Sequence, residues 1–211
     1  EHGQRKRDFP AHFATMNPWV KEHFEEFNTY FTRLGCLLGV TQEVVNVAVL
    51  HPIRSAYLDY QRGQEERGFG ISDLDEKLKE ACRMLSTRGI AYHFLDETLL
   101  EKHGFVKQGK IGCGECSYTY LILPKMETMG SATEELISQF LKQGGKVLLL
   151  DEKPSYLEGS PYSYDYLETN CTLQEIADAQ PFTVKEIHNR LYYTYHQLEE
   201  KAFLFVMNAS A

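Results

Sequence analysis

Two cysteines at close spacing, in Cys113-Gly-Glu-Cys116, are the residues of this chain that most directly suggest chemistry. Paired thiols at this spacing serve redox exchange or supply half of a zinc site. A redox pair needs a helix amino terminus to lower its thiol pKa, whereas this pair precedes a predicted strand. The sequence has no second Cys or His pair at ligand spacing. We therefore predict ordinary hairpin cysteines, with no resident metal and no cofactor.

Other catalytic arrangements have little support in the sequence. A nucleophile elbow needs Gly-x-Ser/Cys-x-Gly between a strand and a helix, and Gly112-Cys113-Gly114 is only superficially similar because it leads into a strand. No glycine-rich loop has phosphate-binding spacing. Four carboxylate pairs are expected on solvated helix or turn faces: Glu25-Glu26, Glu65-Glu66, Glu134-Glu135 and Glu199-Glu200. No catalytic residue is predicted.

Polar residues that follow the predicted buried strands form the candidate binding site. In an open parallel sheet the ligand crevice lies outside the carboxyl ends of the strands. The candidate substrate-binding residues in these loops are His51, Arg54, Ser55, Tyr57, Lys125, Glu127, Asp151 and Lys153. An equally weighted alternative is that His51 and Asp151 only bond the loop backbone and that the lysines are solvated.

A cluster of tyrosines lies between Tyr156 and Tyr166. Aromatic faces combine apolar area with a polar tip, so they can stack on sugar rings. More often such a cluster packs a long loop onto its domain. We favour the packing interpretation.

The elements that position these residues begin with a helix. Aromatic positions recur at helical spacing over residues 18–38, and Gly39 supplies a stop signal. The β-branched run over 44–50 predicts a strand buried on both faces. Ser72 is expected to cap a helix that reaches about residue 87.

The remaining pattern alternates between strands and helices. Strands are predicted over 90–95, 120–124 and 146–150, with a hairpin excursion over 105–118 and a helix that begins at Ser131 or Thr133. This order implies right-handed crossovers and a parallel sheet with helices on both faces. Residues 191–209 predict an antiparallel hairpin.

Composition excludes several partner classes. The 211 residues carry a formal net charge of -8, so nucleic acid and anionic lipid are not expected partners. The longest apolar run is far shorter than a membrane span needs. Five scattered cysteines are too few for a disulfide framework, which favours a cytoplasmic location. The chain begins with Glu1 instead of Met, and we expect it to be a segment of a longer protein.

The order of several short segments carries more information than any single motif. They are Pro18-Trp19, Leu34-Gly-Cys-Leu-Leu-Gly39, Val45-Asn-Val-Ala-Val-Leu-His-Pro52 with Ser55-Ala56-Tyr57, Tyr120-Leu-Ile-Leu-Pro124, Phe140 to Gly145 with Val147, and Phe203-Leu-Phe-Val-Met-Asn208. Over about residues 18–209 this order resembles multidomain glycoside hydrolases of the rhamnosidase and β-galactosidase type. In those enzymes a catalytic (β/α) barrel precedes a class I glutamine amidotransferase-like, flavodoxin-type domain, and β-sandwich modules follow it.

The resemblance implies an α/β fold with a three-layer, flavodoxin-like parallel sheet, helices on both faces and a C-terminal antiparallel hairpin. It implies a helical segment over 1–40, the amidotransferase-like domain over 41–183 and a hairpin that opens a β-module over 184–211. The family's catalytic carboxylates lie in the barrel, so none is carried over to this chain. The expected partner is a neighbouring catalytic barrel or an identical subunit, and carbohydrate is a further candidate.

The expected function is that of a non-catalytic accessory domain, which assembles subunits or closes the sugar site of a barrel. Two alternatives remain open. One is a stand-alone amidotransferase-like hydrolase with Cys113 or Cys116 as nucleophile, and the other is a carbohydrate-binding module that uses the tyrosines and the crevice.

Overall fold

A computed structural model describes residues 18–64, 70–186 and 190–209 of the chain. The predicted carboxylate pair Glu65-Glu66 lies outside these described residues. The chain divides into two compact units. One holds the described residues up to Gln42 together with Gln197–Lys201, and the other holds those from Glu43 to His196 and from Ala202 onward.

Helices and short strands alternate through most of the described chain. The helices are α1 (Pro18–Val40), α2 (Ile53–Asp59), α3 (Ser72–Thr87), α4 (Glu97–His103), α5 (Ser131–Lys142) and α6 (Leu173–Asp178). The strands are β1 (Gln42–Glu43), β2 (Val47–Leu50), β3 (His93–Leu95), β4 (Gly104–Lys107), β5 (Lys110–Cys113), β6 (Cys116–Tyr118), β7 (Tyr120–Leu123), β8 (Thr128–Met129), β9 (Lys146–Leu149), β10 (Tyr156–Leu157), β11 (Ser160–Pro161), β12 (Leu191–Leu198) and β13 (Lys201–Asn208).

A four-stranded parallel sheet is the centre of this mixed α/β fold. Its strand order is β3-β2-β7-β9, and each neighbouring pair is parallel. The structure thus confirms the parallel sheet and the hairpin excursion, in which β4, β5 and β6 form an antiparallel sheet. Strands β10 and β11 form a small antiparallel pair beside β8. The predicted C-terminal hairpin is also confirmed, as β12 and β13.

The buried residues of the sheet alternate between two hydrophobic clusters. All four residues of β2 are buried, as its continuous β-branched pattern predicts. Ala48 belongs to a cluster that also contains Phe140 of α5. Val49 belongs to a second cluster, which contains Leu85 of α3 and Ile176 of α6. The central strand therefore contributes alternate side chains to both halves of the core.

Two predicted helix-end signals are wrong, although the predicted extent of α3, to about residue 87, is confirmed. Helix α1 continues through Gly39 to Val40, so Gly39 does not stop it. The N–H and the hydroxyl of Thr41 instead bond to the Leu37 carbonyl oxygen, at 3.1 and 2.8 Å. Ser72 does not cap α3 but is its first helical residue, and no side-chain hydrogen bond caps this helix. Both errors arise because capping depends on local backbone angles as well as residue type.

Helix α4 is an element that the sequence periodicity does not predict. It has seven residues, which is too short to show a helical repeat. The Asp96 carboxylate accepts hydrogen bonds from the N–H groups of Thr98 at 2.8 Å and Leu99 at 3.1 Å. This N-cap starts the helix directly after β3. As a consequence, Glu97 lies in the first helical turn and is buried.

None of the helices described here is both long and apolar enough to cross a membrane.

Replacement of Phe140 by Ala is expected to destabilise the fold by about 3–5 kcal/mol, because the ring is fully buried and leaves a cavity. The ring packs on Gly145, where an added Cβ would lie only 2.3 Å from it. Urea denaturation monitored by circular dichroism gives the free energy of unfolding. The matched control is Leu99→Ala, since Leu99 is 51% exposed and its loss should change stability by about 0.5 kcal/mol or less. Equal effects of the two substitutions would contradict the assigned core.

Candidate functional site

The loops at the carboxyl ends of the parallel strands meet around Arg54. Its Nη1 donates to Glu158 Oε2 at 2.6 Å, and its Nη2 lies 3.5 Å from Glu101 Oε2. Its Nε lies 3.7 Å from Glu97 Oε2. Arg54 lies in the first turn of α2, which directly follows β2, so it projects from the middle of this edge. We refer to Arg54, Glu97, Glu101, Gly130 and Glu158 as the strand-end cluster.

Glu97 is the buried carboxylate of the strand-end cluster. Its side chain is 0% exposed, and its Oε2 accepts the Gly130 N–H at 2.6 Å. Its Oε1 is buried without a hydrogen-bond partner among the described residues. Burial raises the pKa of Glu97, and the opposing effects of the Gly130 N–H and the Arg54 charge are smaller. The carboxyl group therefore keeps its proton to a higher pH than an exposed glutamate does.

Two carboxylates of the strand-end cluster accept hydrogen bonds from backbone N–H groups at the amino terminus of α5. The Ser131 N–H donates to Glu158 Oε1 at 2.9 Å, while the Gly130 N–H donates to Glu97. These bonds occupy N–H groups that a helix start leaves unpaired. A Cβ at Gly130 would lie 2.8 Å from Arg54 Cζ, so a side chain there would displace the guanidinium. Glycine at this position allows the close approach.

Ser55 joins α2 to the loop that follows β7. Its buried hydroxyl accepts the N–H groups of Glu127 at 2.9 Å and Thr128 at 3.1 Å. The same hydroxyl donates to the Thr128 carbonyl oxygen at 3.1 Å. One donor and two acceptor positions are the full capacity of a serine hydroxyl. The Ser55 hydroxyl is therefore fully occupied by the backbone of this loop.

Lys125 and Asp151 lie together at a second location, beside α3. They line a cavity of about 250 Å³ together with Lys77 and Glu80. Lys125 also forms a hydrogen-bonded ion pair with Asp73. This hydrogen bond raises the pKa of Lys125 and lowers that of Asp73. The cavity therefore presents charges of both signs.

The other predicted site residues lie apart from these groups. The His51 ring packs edge-on against Phe94, with 5.7 Å between the ring centroids. Tyr57 is 74% exposed on α2. Lys153 Nζ lies 3.6 Å from Glu168 Oε1 at the surface. The eight candidates thus do not share one pocket: Arg54 and Ser55 are neighbours on α2, and Lys125 and Asp151 line the cavity beside α3.

The tyrosines over 156–166 pack as the preferred interpretation predicts. Tyr164 is buried, and its hydroxyl donates to the Tyr156 carbonyl oxygen at 2.8 Å. The hydroxyl of Tyr162 donates to Glu134 Oε1 at 3.2 Å. These bonds tie the loop down through its tyrosine hydroxyls, while Tyr162 and Tyr166 remain 40% and 38% exposed.

Cys113 and Cys116 lie on a β-hairpin, and neither is at a helix amino terminus. Burial raises the pKa of the Cys113 thiol, and nearby Cys116 and Asp96 act in the same direction. A catalytic thiol needs the opposite shift. Within the described ranges, no group of three or more His, Cys, Asp or Glu residues is placed to hold a metal ion.

The three carboxylates around Arg54 were not among the predicted candidates. The position of Glu97 after a predicted strand indicated that it lies at the strand-end edge. The helix that places its side chain in the interior was not predicted. Glu101 lies in that same helix. Glu158 is 104 residues from Arg54 in the sequence, and no local pattern indicates that the two side chains meet.

A buried carboxyl group with a raised pKa beside a cation is a recognised sign of a functional site. In the strand-end cluster, however, Arg54 already has three carboxylate partners within the chain. The geometry is therefore best suited to closing the carboxyl edge of the sheet.

Replacement of Arg54 by Met is expected to destabilise the fold by about 1–3 kcal/mol near neutral pH, because it leaves the Glu97 charge buried without its cation. The raised pKa means that the folded state binds the Glu97 proton more tightly than the unfolded state does. The stability that this group contributes is thus present at low pH and is lost as pH rises through the folded pKa. The loss caused by Arg54→Met should be larger near pH 7 than near pH 4, as measured by urea denaturation.

The control is the same substitution in a Glu97→Gln background. There the pH-dependent part of the loss should disappear, since the exposed partners Glu101 and Glu158 contribute little. An equal loss at both pH values in the wild-type background would show that Glu97 is not the group that responds.

Comparison of the chain with known protein families and with curated proteins gave no match.

Proposed function

We propose that this chain is a non-catalytic accessory domain of a glycoside hydrolase, which assembles subunits or closes the sugar site of a neighbouring barrel. The observation that carries the proposal is the occupied strand-end edge. Arg54 is paired with three carboxylates of its own chain, where a ligand of an open α/β sheet would lie. The ordered motifs that resemble such hydrolases supply the enzyme class.

The strand order supports an amidotransferase-like, three-layer domain of the flavodoxin type. Numbered along the chain, the four parallel strands are arranged second, first, third and fourth. Flavodoxin-like sheets begin with this order. The two hydrophobic clusters, one with α5 and the other with α3 and α6, are what a sheet covered on both faces requires.

The connection between the third parallel strand and its helix supports a non-catalytic role. In α/β hydrolases that use a nucleophile elbow, the nucleophile lies on the turn between a strand and a helix. Here residues 124–130 connect β7 to α5 and contain neither Ser nor Cys. Their one hydroxyl, that of Thr128, is buried and accepts the Gly159 N–H at 3.1 Å. The alternative function, a hydrolase with a cysteine nucleophile, would have to use Cys113 or Cys116, which lie on the β5–β6 hairpin and not in this connection.

The exposed residues of α2 supply the surface for a neighbour. Tyr57 is 74% exposed, and it lies only two residues from the buried, fully bonded Ser55. Exposed tyrosines are enriched where protein surfaces meet, because a rigid ring covers a large area at low entropic cost. We place the contact with a barrel or a second subunit at this end of α2.

The isolated chain is expected to hydrolyse no glycoside. A panel of chromogenic aryl glycosides, with release of the phenol measured, checks this. Turnover that survives purification would contradict the proposal. If that turnover were lost in a folded Cys113→Ala variant, the stand-alone hydrolase would be favoured. A rise in melting temperature with oligosaccharides would instead favour the carbohydrate-binding alternative, since a ligand of the folded state must stabilise it.

In the complete protein encoded by the gene, Tyr57→Ala is expected to weaken the contact by about 2 kcal/mol, or about thirtyfold. The measurements are glycosidase kcat/KM and the oligomeric state by analytical ultracentrifugation. The matched control is Tyr57→Phe, which keeps the ring and should retain most of the contact. Unchanged turnover and assembly in Tyr57→Ala would remove α2 from the interface. A gene that encodes no barrel would contradict the accessory role itself.

A further inference from the structure

Cys113 and Cys116 form a cross-strand pair outside the strand-end cluster. Strands β5 and β6 are antiparallel, and their register places these two cysteines opposite each other. Gly114 begins the two-residue turn between them with a φ of 62°. Opposite residues in an antiparallel pair have Cα atoms about 4.5–5.5 Å apart. A disulfide spans about 4.4–6.8 Å between Cα atoms, so the hairpin holds both thiols within bonding reach.

The two thiols differ in their access to solvent. Cys116 is exposed, whereas Cys113 is partly buried beside it. The other cysteines of unit two, Cys82 and Cys171, are partly buried and buried respectively. The chain's other exposed cysteine, Cys36, lies on α1. Of the two hairpin thiols, a reagent in solution therefore reaches Cys116 before Cys113. This is the arrangement of an attacking thiol next to a resolving thiol.

The hairpin is anchored on both sides of the pair. The Gly114 N–H donates to the carbonyl oxygen of His103 at 3.3 Å, which ties the turn to the end of α4. Two residues beyond Cys116, the Tyr118 hydroxyl lies 3.0 Å from His93 Nδ1 on β3. The cysteines are thus fixed between two contacts, and their mutual position does not depend on a mobile loop.

We propose that Cys113 and Cys116 are a reversible thiol–disulfide site that reacts with low-molecular-weight disulfides of the glutathione class. The Cys116 thiolate attacks one sulfur of the small disulfide, whose S–S bond breaks and releases one thiol. The Cys113 thiolate then attacks Cys116 Sγ in the mixed disulfide and expels the second small thiol. Two protein thiols are oxidised, one small disulfide is reduced, and the two protein protons go to the two released thiols. This site is independent of the proposed glycoside hydrolase role.

The environment of Cys113 sets how long the protein disulfide lasts. A reducing thiol reaches the exposed Cys116 Sγ and has to expel Cys113 as the leaving group. Burial, with Cys116 and Asp96 nearby, raises the pKa of Cys113 and makes it a poor leaving group. The same raised pKa lowers the thiolate fraction of Cys113 in the closing step, so both closure and removal of the disulfide are expected to be slow.

The test is peptide mass spectrometry of the whole chain after incubation with oxidised glutathione. The protein is quenched in acid, its free thiols are alkylated, and trypsin then cleaves it. Cleavage after Lys110 and Lys125 releases one peptide that contains both cysteines and no internal Lys or Arg. The expected result is loss of both alkyl labels from this peptide and a mass lighter by two hydrogen atoms. Untreated protein should give the doubly alkylated peptide.

Two serine variants separate the steps. Cys113→Ser should accumulate a glutathione adduct on Cys116, because the resolving thiol is absent. Cys116→Ser should lose most adduct formation in this peptide, because the remaining thiol is partly buried. The proposal is overturned if the treated wild-type peptide keeps both alkyl labels or a lasting glutathione adduct. A disulfide from either cysteine to Cys36, Cys82 or Cys171 would overturn it as well.

Discussion

Two consecutive residues, Arg54 and Ser55, hold together the loops that follow the four parallel strands. The Ser55 hydroxyl bonds the backbone after β7 through Glu127 and Thr128, and Arg54 reaches Glu97 after β3 and Glu158 beyond β9. Both residues can do this because β2 is an inner strand of the sheet and α2 begins just beyond its end. The carboxyl edge is consequently one connected polar network. The structural consequence is an edge whose strongest donors and acceptors are already paired within the chain.

The members of this network contribute unequally. Glu101 and Glu158 are 57% and 48% exposed in their side chains, so their ion pairs with Arg54 are screened by solvent and contribute little. Glu97 is fully buried, and its charge is stabilised by the Gly130 N–H, the guanidinium and the Thr133 side chain. Stability at this edge therefore depends mainly on Glu97 and on the backbone bonds of Ser55.

The sequence predicts those features that consecutive residues encode. The run over 44–50 identifies β2, the strand-end rule selects Arg54 and Ser55, and periodic segments identify α5 and the hairpins. Contacts across long separations have no such signal: Lys125 and Asp73, for example, are 52 residues apart. Helix α4 escapes prediction because seven residues with one Asp cap show no periodicity. The partners of Arg54 were therefore the least predictable part of the site, although Arg54 itself was identified.

Helix α4 connects the strand-end cluster to the cysteine hairpin. Its first turn carries Glu97, and the carbonyl oxygen of its last residue, His103, accepts the Gly114 N–H from the hairpin turn. Asp96, which caps this helix, also contributes to the raised pKa of Cys113. Because the helix has only seven residues, a covalent constraint at its carboxyl end lies within two turns of the buried carboxylate at its amino end. Helix α4 thus contacts both the strand-end cluster, through Glu97, and the cysteine hairpin, through the His103 carbonyl oxygen.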